Sequence, residues 1–290
     1  MFSAYLIHIL IIVVIYIILA MSLNLALGFT GLRNLGHIAF FGIGAYTSTL
    51  LTMAGVPFIL SIILGGGLAS IFAYILTKIT NKLKGDYLAM ATLGFSFVVY
   101  SVLLNWSSLT HGPIGIPGIP KPSIFGWHIQ SNFIYLIFAI FIATLIYFIL
   151  KKLTNSPYGK LLGAVRDDTI GAESLGKNIF RLKSQSMMIS AFFAAIAGSL
   201  LAHYISYIDP STFYLNDLIV IFTIVIVGGL GSLNGSIVAG ILIIALPELL
   251  RFIDLPSAII GTMRQMIYAV ILLIILLYKP RGLFGKIDLD

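Results

Sequence analysis

Long stretches without a charged residue constrain this chain more than any other feature of its sequence. No Asp, Glu, Lys or Arg occurs in five runs, at residues 34–77, 87–120, 122–150, 218–247 and 265–278. A helix crosses a bilayer with about 20 apolar residues, and its backbone polar groups pair within the helix itself. A membrane barrel would instead show short segments of alternating polarity, and these runs do not alternate. The runs therefore predict an all-α fold, a polytopic bundle of transmembrane helices.

Composition agrees with a bilayer rather than water as the solvent. Of the 290 residues, 59% are hydrophobic and 9% are charged, whereas a soluble domain carries about 25% charged residues. The long apolar run at 4–27 has no Lys or Arg in front of it, so we expect a membrane helix there rather than a cleavable signal peptide. Cysteine is absent, which excludes disulfides and thiolate metal sites.

Apolar segments between polar or Gly/Pro breaks predict nine spans, within a range of eight to ten, in one membrane domain over 1–290. The segment 35–53 is a candidate for a re-entrant helix, and 87–109 is a candidate for a broken one. The expected spans are 4–27, 35–53, 58–78, 87–109, 132–150, 186–206, 215–230, 236–250 and 264–279.

Basic residues are concentrated in the segments 78–86 and 151–185 and in the tail from Lys279. Cytoplasmic loops of membrane proteins are enriched in Lys and Arg, so we expect these three segments and the C-terminus to be cytoplasmic. Basic residues in cytoplasmic loops, which set the orientation of the protein in the membrane, thus explain the net charge of +7 better than nucleic-acid binding does. Nine spans place the N-terminus outside, and a re-entrant 35–53 would reverse that.

The segment 151–185 is predicted to contain one surface helix over about 157–176. Ser156 and Pro157 are typical of a helix start, and Gly176 is a typical stop. Such a helix is too short and too charged to span; it would dock on a partner or lie on the membrane surface, with a solvated loop as the alternative. The apolar residues near one predicted face are Leu161, Ala164, Val165, Ala172 and Leu175, with Arg166, Asp167 and Asp168 to the side.

Five polar residues inside apolar runs are candidates for a translocation path. Hydrogen bonds between helices explain them equally well, and the histidine among them, near a helix end, is better explained by a bond to a carbonyl. The five are Asn24, His37, Thr92, Ser96 and Asn105.

Small residues recur at helical spacing at Ala191, Ala195, Gly198 and Ala202. Small side chains let two membrane helices approach closely. This row therefore predicts a tight helix–helix contact.

No catalytic, metal-binding or cofactor-binding pattern is found. The five histidines lack metal-ligand spacing. A phosphate-binding loop needs Lys after its last glycine, whereas Ser236 follows the Gly-rich loop 228–235, so we expect a tight turn there. An ion-coupled transporter keeps an acidic group inside its bundle. Here every acid, including Glu248, falls in a loop or at a span end. We therefore expect a transport subunit that is not an enzyme and binds no cofactor directly.

Seven ordered motifs extend through nearly the whole chain and resemble the permeases of branched-chain amino acid ABC transporters, the LivH/LivM type. The Gly/Pro stretch at 109–116 favours LivM, and Arg33-Asn34 departs from the family pattern. The motifs are LNLALGFTG at 23–31, LGHIAFFGIGAY at 35–46, ATLGF at 91–95, LTHGPIGI at 109–116, SPYGKLLGAVRDD at 156–168 with AESLG at 172–176, GGLGSLNG at 228–235 and YKPRGLFG at 278–285.

The resemblance implies import by alternating access across a bacterial or archaeal cytoplasmic membrane. Implied partners are a LivH-like second permease, two ATPase subunits that use the ATP, and a periplasmic or lipid-anchored binding protein. Implied cargo is leucine, isoleucine or valine; urea, short amides, other amino acids and an ion-coupled mechanism remain alternatives. The residues implied to couple to the ATPases are Tyr158, Gly159, Arg166, Asp167, Asp168, Ala172, Glu173, Ser174, Leu175 and Gly176.

Overall fold

The structure is a computed structural model that describes residues 2–124, 127–245, 257–279 and 281–285. A π-helical turn, Leu25–Phe29, extends the first helix, and short strands β1 (Ile116–Pro117) and β4 (Tyr207–Ile208) pair antiparallel, as do β2 (Ser123–Ile124) and β3 (Trp127–His128). The helices of the described residues are α1 (Phe2–Asn24), α2 (His37–Met53), α3 (Phe58–Ile79), α4 (Gly85–Asn105), α5 (Ser107–Thr110), α6 (Asn132–Asn155), α7 (Pro157–Asp167), α8 (Thr169–Ser174), α9 (Ile179–Ile205), α10 (Leu215–Gly228), α11 (Leu233–Ala245) and α12 (Ser257–Tyr278).

The predicted all-α polytopic bundle is confirmed, and the part of the chain that is described contains six helical segments long and apolar enough to cross a membrane. The predicted spans at 35–53 and 236–250 correspond to shorter helices, α2 with 17 residues and α11 with 13. Residues 246–250 of the second, including Glu248, lie outside the described residues. The six segments are Ala4–Phe29, Phe58–Ile79, Gly85–Asn105, Asn132–Asn155, Ile179–Ile205 and Pro210–Gly228.

Helices α2 and α9 pack against each other along most of α2, with α3 packed against both. A Cβ atom placed on Gly198 of α9 would lie 1.9 Å from the carbonyl oxygen of Phe41. A Cβ on Gly44 of α2 would lie 2.3 Å from the Cα of Ala195. The backbones therefore touch at these glycines, which confirms the close helix approach predicted from the row of small residues.

Several predicted spans have different ends in the structure, α9 and α4 among them. Helix α9 begins at Ile179, seven residues before the predicted start, because the Asn178 side chain accepts a hydrogen bond of 2.9 Å from the Arg181 amide and caps the helix. Helix α4 is continuous and ends at Asn105, and Trp106 separates it from α5.

The three basic segments lie at one end of the bundle. Arg33 forms an ion pair with Asp86 at the start of α4, and Arg166 of α7 donates to the Gly28 carbonyl at 3.0 Å. The Leu283 amide donates to the carbonyl oxygen of Val227 at 2.8 Å, at the end of α10. We call this end, with loop 80–84, helices α7 and α8 and residues 281–285, the basic end.

The first helix begins at the opposite end. There the His8 ring bonds the Tyr204 hydroxyl at 2.7 Å, close to the end of α9. The start of α1 and residues 281–285 thus lie at opposite ends, which agrees with an odd number of crossings.

Candidate functional site

The predicted single helix over 157–176 is wrong, because the segment forms two short helices. The Ser156 hydroxyl caps α7 by accepting from the Gly159 amide at 3.4 Å, with Pro157 at the first helical position. Asp168 then leaves helical geometry, and its carboxylate accepts from the amides of Ile170 (3.0 Å) and Gly171 (2.9 Å). An aspartate side chain competes with the helix for backbone donors. Asp168 therefore ends α7 and caps α8.

The buried face of these helices also differs from the prediction. Leu162, Val165 and Ala172 are buried, whereas Ala164 is exposed and Leu175 is 79% exposed. The break at Asp168 rotates α8 relative to the helical pattern that continues from α7. The predicted single apolar face is therefore replaced by two buried faces, one on α7 and one on α8.

Arg166 faces inward and belongs to the packing of the basic end. Its Nη1 donates to the Gly28 carbonyl at 3.0 Å, and its Nη2 lies 2.7 Å from the Asp167 carboxylate. A Cβ on Gly31 would lie 2.8 Å from the Arg166 Cγ, and Gly31 has a φ of +74°. Arg166 thus fixes α7 on the turn that follows α1.

Tyr158 and Gly159, at the start of α7, also face the protein. The buried Tyr158 hydroxyl has no hydrogen-bond partner among the residues that are described, and burial raises its pKa to about 12. A Cβ on Gly159 would lie 2.1 Å from the Thr154 carbonyl oxygen. Only glycine therefore fits the contact between α6 and α7.

The remaining predicted coupling residues form one exposed surface, which we call the α7–α8 surface. It combines three carboxylates with two apolar side chains that are exposed to solvent, Ile170 at 68% and Leu175 at 79%. A partner with a basic rim and an apolar recess would match it in charge and shape. The surface contains Asp167, Asp168, Ile170, Glu173, Ser174, Leu175 and Gly176.

Asn24, a predicted path residue, links the end of α1 to the α10–α11 turn. Its amide nitrogen donates to Ser236 Oγ (2.8 Å) and to the carbonyls of Ser232 (3.0 Å) and Gly229 (3.3 Å). Its amide oxygen accepts from the Gly231 amide at 2.9 Å. The side chain is fully buried, and its bonds join α1 to the α10–α11 turn and to Ser236 in the first turn of α11.

His37, at the start of α2, is fully buried. Its Nε2 lies 2.9 Å from the Ser22 hydroxyl of α1, and its Nδ1 has no partner among the described residues. The His37 ring also interacts with the Leu19 backbone of α1, so the expected carbonyl partner is present together with the Ser22 hydroxyl.

The three candidates on α4 have separate surroundings. The Thr92 hydroxyl accepts from the Leu35 amide at 3.0 Å and so holds the segment before α2. Ser96 donates to the Leu93 carbonyl of its own helix at 2.7 Å, and exposed Asn105 likewise bonds Ser101. The five predicted path residues contact different partners and do not form one cluster, so their role in translocation stays a prediction.

Sequence reasoning missed the contact between the α10–α11 turn and the C-terminal segment. The Phe284 amide donates to the Gly228 carbonyl at 3.1 Å, and Gly229 and Gly231 have φ values of +101° and +73°. The tight turn predicted for the glycines of 228–235 is confirmed. Nothing in the local sequence shows which segment covers that turn.

Comparison with known proteins assigns the chain to a family. The family described as branched-chain amino acid transport system / permease component matches residues 5–277. This chain belongs to that family.

The permease matches LivM proteins at higher identity than LivH proteins, as the Gly/Pro stretch predicted. It is 34% identical to the high-affinity branched-chain amino acid transport system permease protein LivM of Escherichia coli K12, over 93% of this chain and 67% of that protein. It is 27% identical to the probable LivM of Methanocaldococcus jannaschii, over 93% and 90%. Its identity to LivH of Salmonella typhimurium is 25%, over 95% and 92%.

A solved structure shares the fold of the permease. PsaBC from Streptococcus pneumoniae in complex with Fab aligns with a TM-score of 0.50 over 94% of this chain and 91% of that chain. Its sequence identity is 13%, so the likeness concerns the fold alone.

Proposed function

We propose that this permease is the membrane subunit of an ABC importer and moves its cargo by alternating access driven by separate ATPase subunits. The observation that carries the proposal is the α7–α8 surface, where carboxylates and apolar side chains within one short segment are all exposed. Cytoplasmic loops are enriched in Lys and Arg, so the basic end faces the cytoplasm, where ATPases bind. The ATP would be bound and hydrolysed by those partners.

The proposed cargo is a branched-chain amino acid, leucine, isoleucine or valine. The names of the LivM and LivH relatives support this cargo, and pairing with a LivH-like second permease follows from the same family. A substrate-binding protein would dock at the end opposite to the basic end. The membrane would be the cytoplasmic membrane of a bacterium or archaeon, with the C-terminus inside.

Replacing Glu173 with alanine is expected to weaken association with the ATPase subunits. Glu173 is exposed on the α7–α8 surface, so its loss removes charge complementarity while the bundle stays folded. Co-purification of the ATPases with the tagged permease measures the effect, and we expect at least about a five-fold loss of bound ATPase if one charged contact contributes roughly 1 kcal/mol.

Asp86→Ala is the matched control for Glu173→Ala. Asp86 is also an acid at the basic end, but its pair with Arg33 is exposed and stabilises little. Equal ATPase recovery from Glu173→Ala and the wild type would contradict docking at the α7–α8 surface. Arg166 is unsuitable for this test because its loss also breaks the contact with Gly28.

Among the described residues, Asp217 is the carboxylate whose position best fits an ion-coupling group. Asp217, in the first turn of α10, is half-buried and accepts a hydrogen bond from the Tyr16 hydroxyl of α1. An ion-coupled transporter would use such an acid. We expect Asp217→Asn to leave ATP-driven uptake within about two-fold of wild type, because this mechanism moves no proton through the residue.

The measurement is radiolabelled leucine uptake into proteoliposomes that contain both permeases, the ATPases and the binding protein. Uptake should require internal ATP and persist without an ion gradient. Uptake by the permease alone under a proton or sodium gradient, abolished by Asp217→Asn, would replace the ABC proposal with the ion-coupled one.

A further inference from the structure

Two neighbouring cavities meet at Tyr147 of α6. The first, of about 430 Å³, opens at the basic end and is lined by polar and basic side chains. The second, of about 300 Å³, is an apolar groove between α1, α6 and α11, lined by residues such as Val14, Ile17, Ala143 and Ile237. Tyr147 lines both cavities, and its hydroxyl donates to Asn234 Oδ1 at 2.7 Å. The two cavities therefore adjoin at Tyr147, with the polar one at the basic end and the apolar one between the helices.

The basic cavity suits a phosphate group. Lys151 and Arg166 both line it, and none of its described lining residues is a carboxylate. The exposed Asp167 carboxylate accepts from the Nε and Nη2 of Arg166, and the Gly28 carbonyl accepts a third bond from Nη1. A guanidinium has five N–H donors, so donors remain for an anion, and the ammonium of Lys151 has three. Hydroxyl and amide groups of Thr154, Asn155 and Ser232 complete the polar lining.

The groove suits an acyl chain. Its lining extends from Val14 to Met21 on α1 and from Ile140 to Phe148 on α6, a length of about 10 Å and about 12 Å along the two helix axes. Ile140 and Phe148 are 46% and 60% exposed, so the groove opens to the side of the bundle. At its basic end, Lys151 lies over the Tyr147 ring with its Nζ 5.3 Å from the centroid. This is a cation–π contact, and it places the ammonium group at the junction of the groove and the basic cavity.

We propose that the groove and the basic cavity together bind one anionic phospholipid. Its phosphate contacts Lys151 and Arg166, and one acyl chain lies in the groove beneath Tyr147. The headgroup then joins the end of α6, helix α7 and the α10–α11 turn. This inference concerns lipid binding alone and stands whether or not the proposed transport function is correct.

The test is a titration of the delipidated permease with dioleoyl phosphatidylglycerol or dioleoyl phosphatidylcholine, followed by native mass spectrometry. We expect the anionic phosphatidylglycerol to bind more tightly than the zwitterionic phosphatidylcholine. The two lipids carry the same acyl chains and differ in headgroup charge. Lys151→Gln should lower that affinity by about five-fold, from roughly 1 kcal/mol for one basic residue near the headgroup. Lys152→Gln is the matched control, because Lys152 is the exposed neighbour and does not line the cavity.

A second pair of variants tests the groove. Thr144→Phe fills it and should lower affinity for both lipids, whereas Leu145→Phe, on the neighbouring exposed position outside the lining, should not. Unchanged elution on size exclusion shows that each variant is folded.

Three results would overturn the proposal. Equal losses from Lys151→Gln and Lys152→Gln would show diffuse surface charge. Competition by millimolar inorganic phosphate that abolishes lipid selectivity would identify a site for a free anion. Loss of the second permease from the Thr144→Phe complex, with lipid binding unchanged, would identify the groove as a protein interface.

Discussion

Alanine in place of Gly198 is expected to destabilise the folded bundle strongly. The added methyl group would lie 1.9 Å from the Phe41 carbonyl oxygen, and backbone atoms cannot move away without separating α9 from α2. Overpacking a well-packed interior costs about 1–3 kcal/mol, and more where backbone must shift. We expect a loss of about 3 kcal/mol, measured as the fraction of protein that stays monodisperse after heating in detergent.

Gly94→Ala is the matched control, because the same methyl group is added to another helical glycine. No atom lies within 4 Å of a Cβ at Gly94 of α4, and the position is exposed. Alanine favours helix over glycine by about 1 kcal/mol, so this variant should be as stable as the wild type or slightly more stable. Equal heat resistance of Gly198→Ala and Gly94→Ala would contradict backbone contact between α2 and α9.

Leucine in place of Asn24 should destabilise the basic end by about 3 kcal/mol, since each buried polar group that loses its partner costs roughly 1–3 kcal/mol. The Gly231 amide and the carbonyls of Gly229 and Ser232 would lose bonds in an apolar interior. The α10–α11 turn would detach from α1, and protease cleavage within 228–235 reports that detachment in the folded protein.

Asn105→Leu is the control for Asn24→Leu. Asn105 is exposed and bonds Ser101 of its own helix, so its replacement should change stability by less than about 0.5 kcal/mol. Resistance of the turn to protease in Asn24→Leu, equal to that in Asn105→Leu, would mean that the Asn24 bonds contribute nothing to stability.

The bundle and the start of α7 followed from sequence because both depend on local chemistry. A run without charges is apolar wherever it lies, and Ser156-Pro157 caps a helix with groups three residues away. The family was recognisable for a related reason, since its motifs occur in order along the chain. Asp168 carries the same kind of local information, for aspartate is a strong N-cap residue. The continuous helix prediction did not use it.

The roles of single polar residues could not be predicted because their partners are distant in sequence. Asn24 is recognisable as an amide in an apolar run, yet the Gly229 carbonyl that it bonds is 205 residues away. The inward orientation of Arg166 likewise depends on Gly28, which is 138 residues away. Only the packed bundle brings these groups together, and the sequence pattern of one helix contains no information about its neighbours.

The enclosure of α2 by the protein has a consequence for membrane insertion. Twelve of its 17 residues are buried in the bundle, among them His37, and its closest neighbour, α9, is synthesised more than 120 residues later. Until α9 emerges from the ribosome, α2 has α3, α4 and Ser22 of α1 to shield its polar groups from lipid, but not the helix that covers it most. Ribosome-bound chains that end before α9 should therefore hold α2 beside the translocon, and release it into the bilayer once α9 has been made.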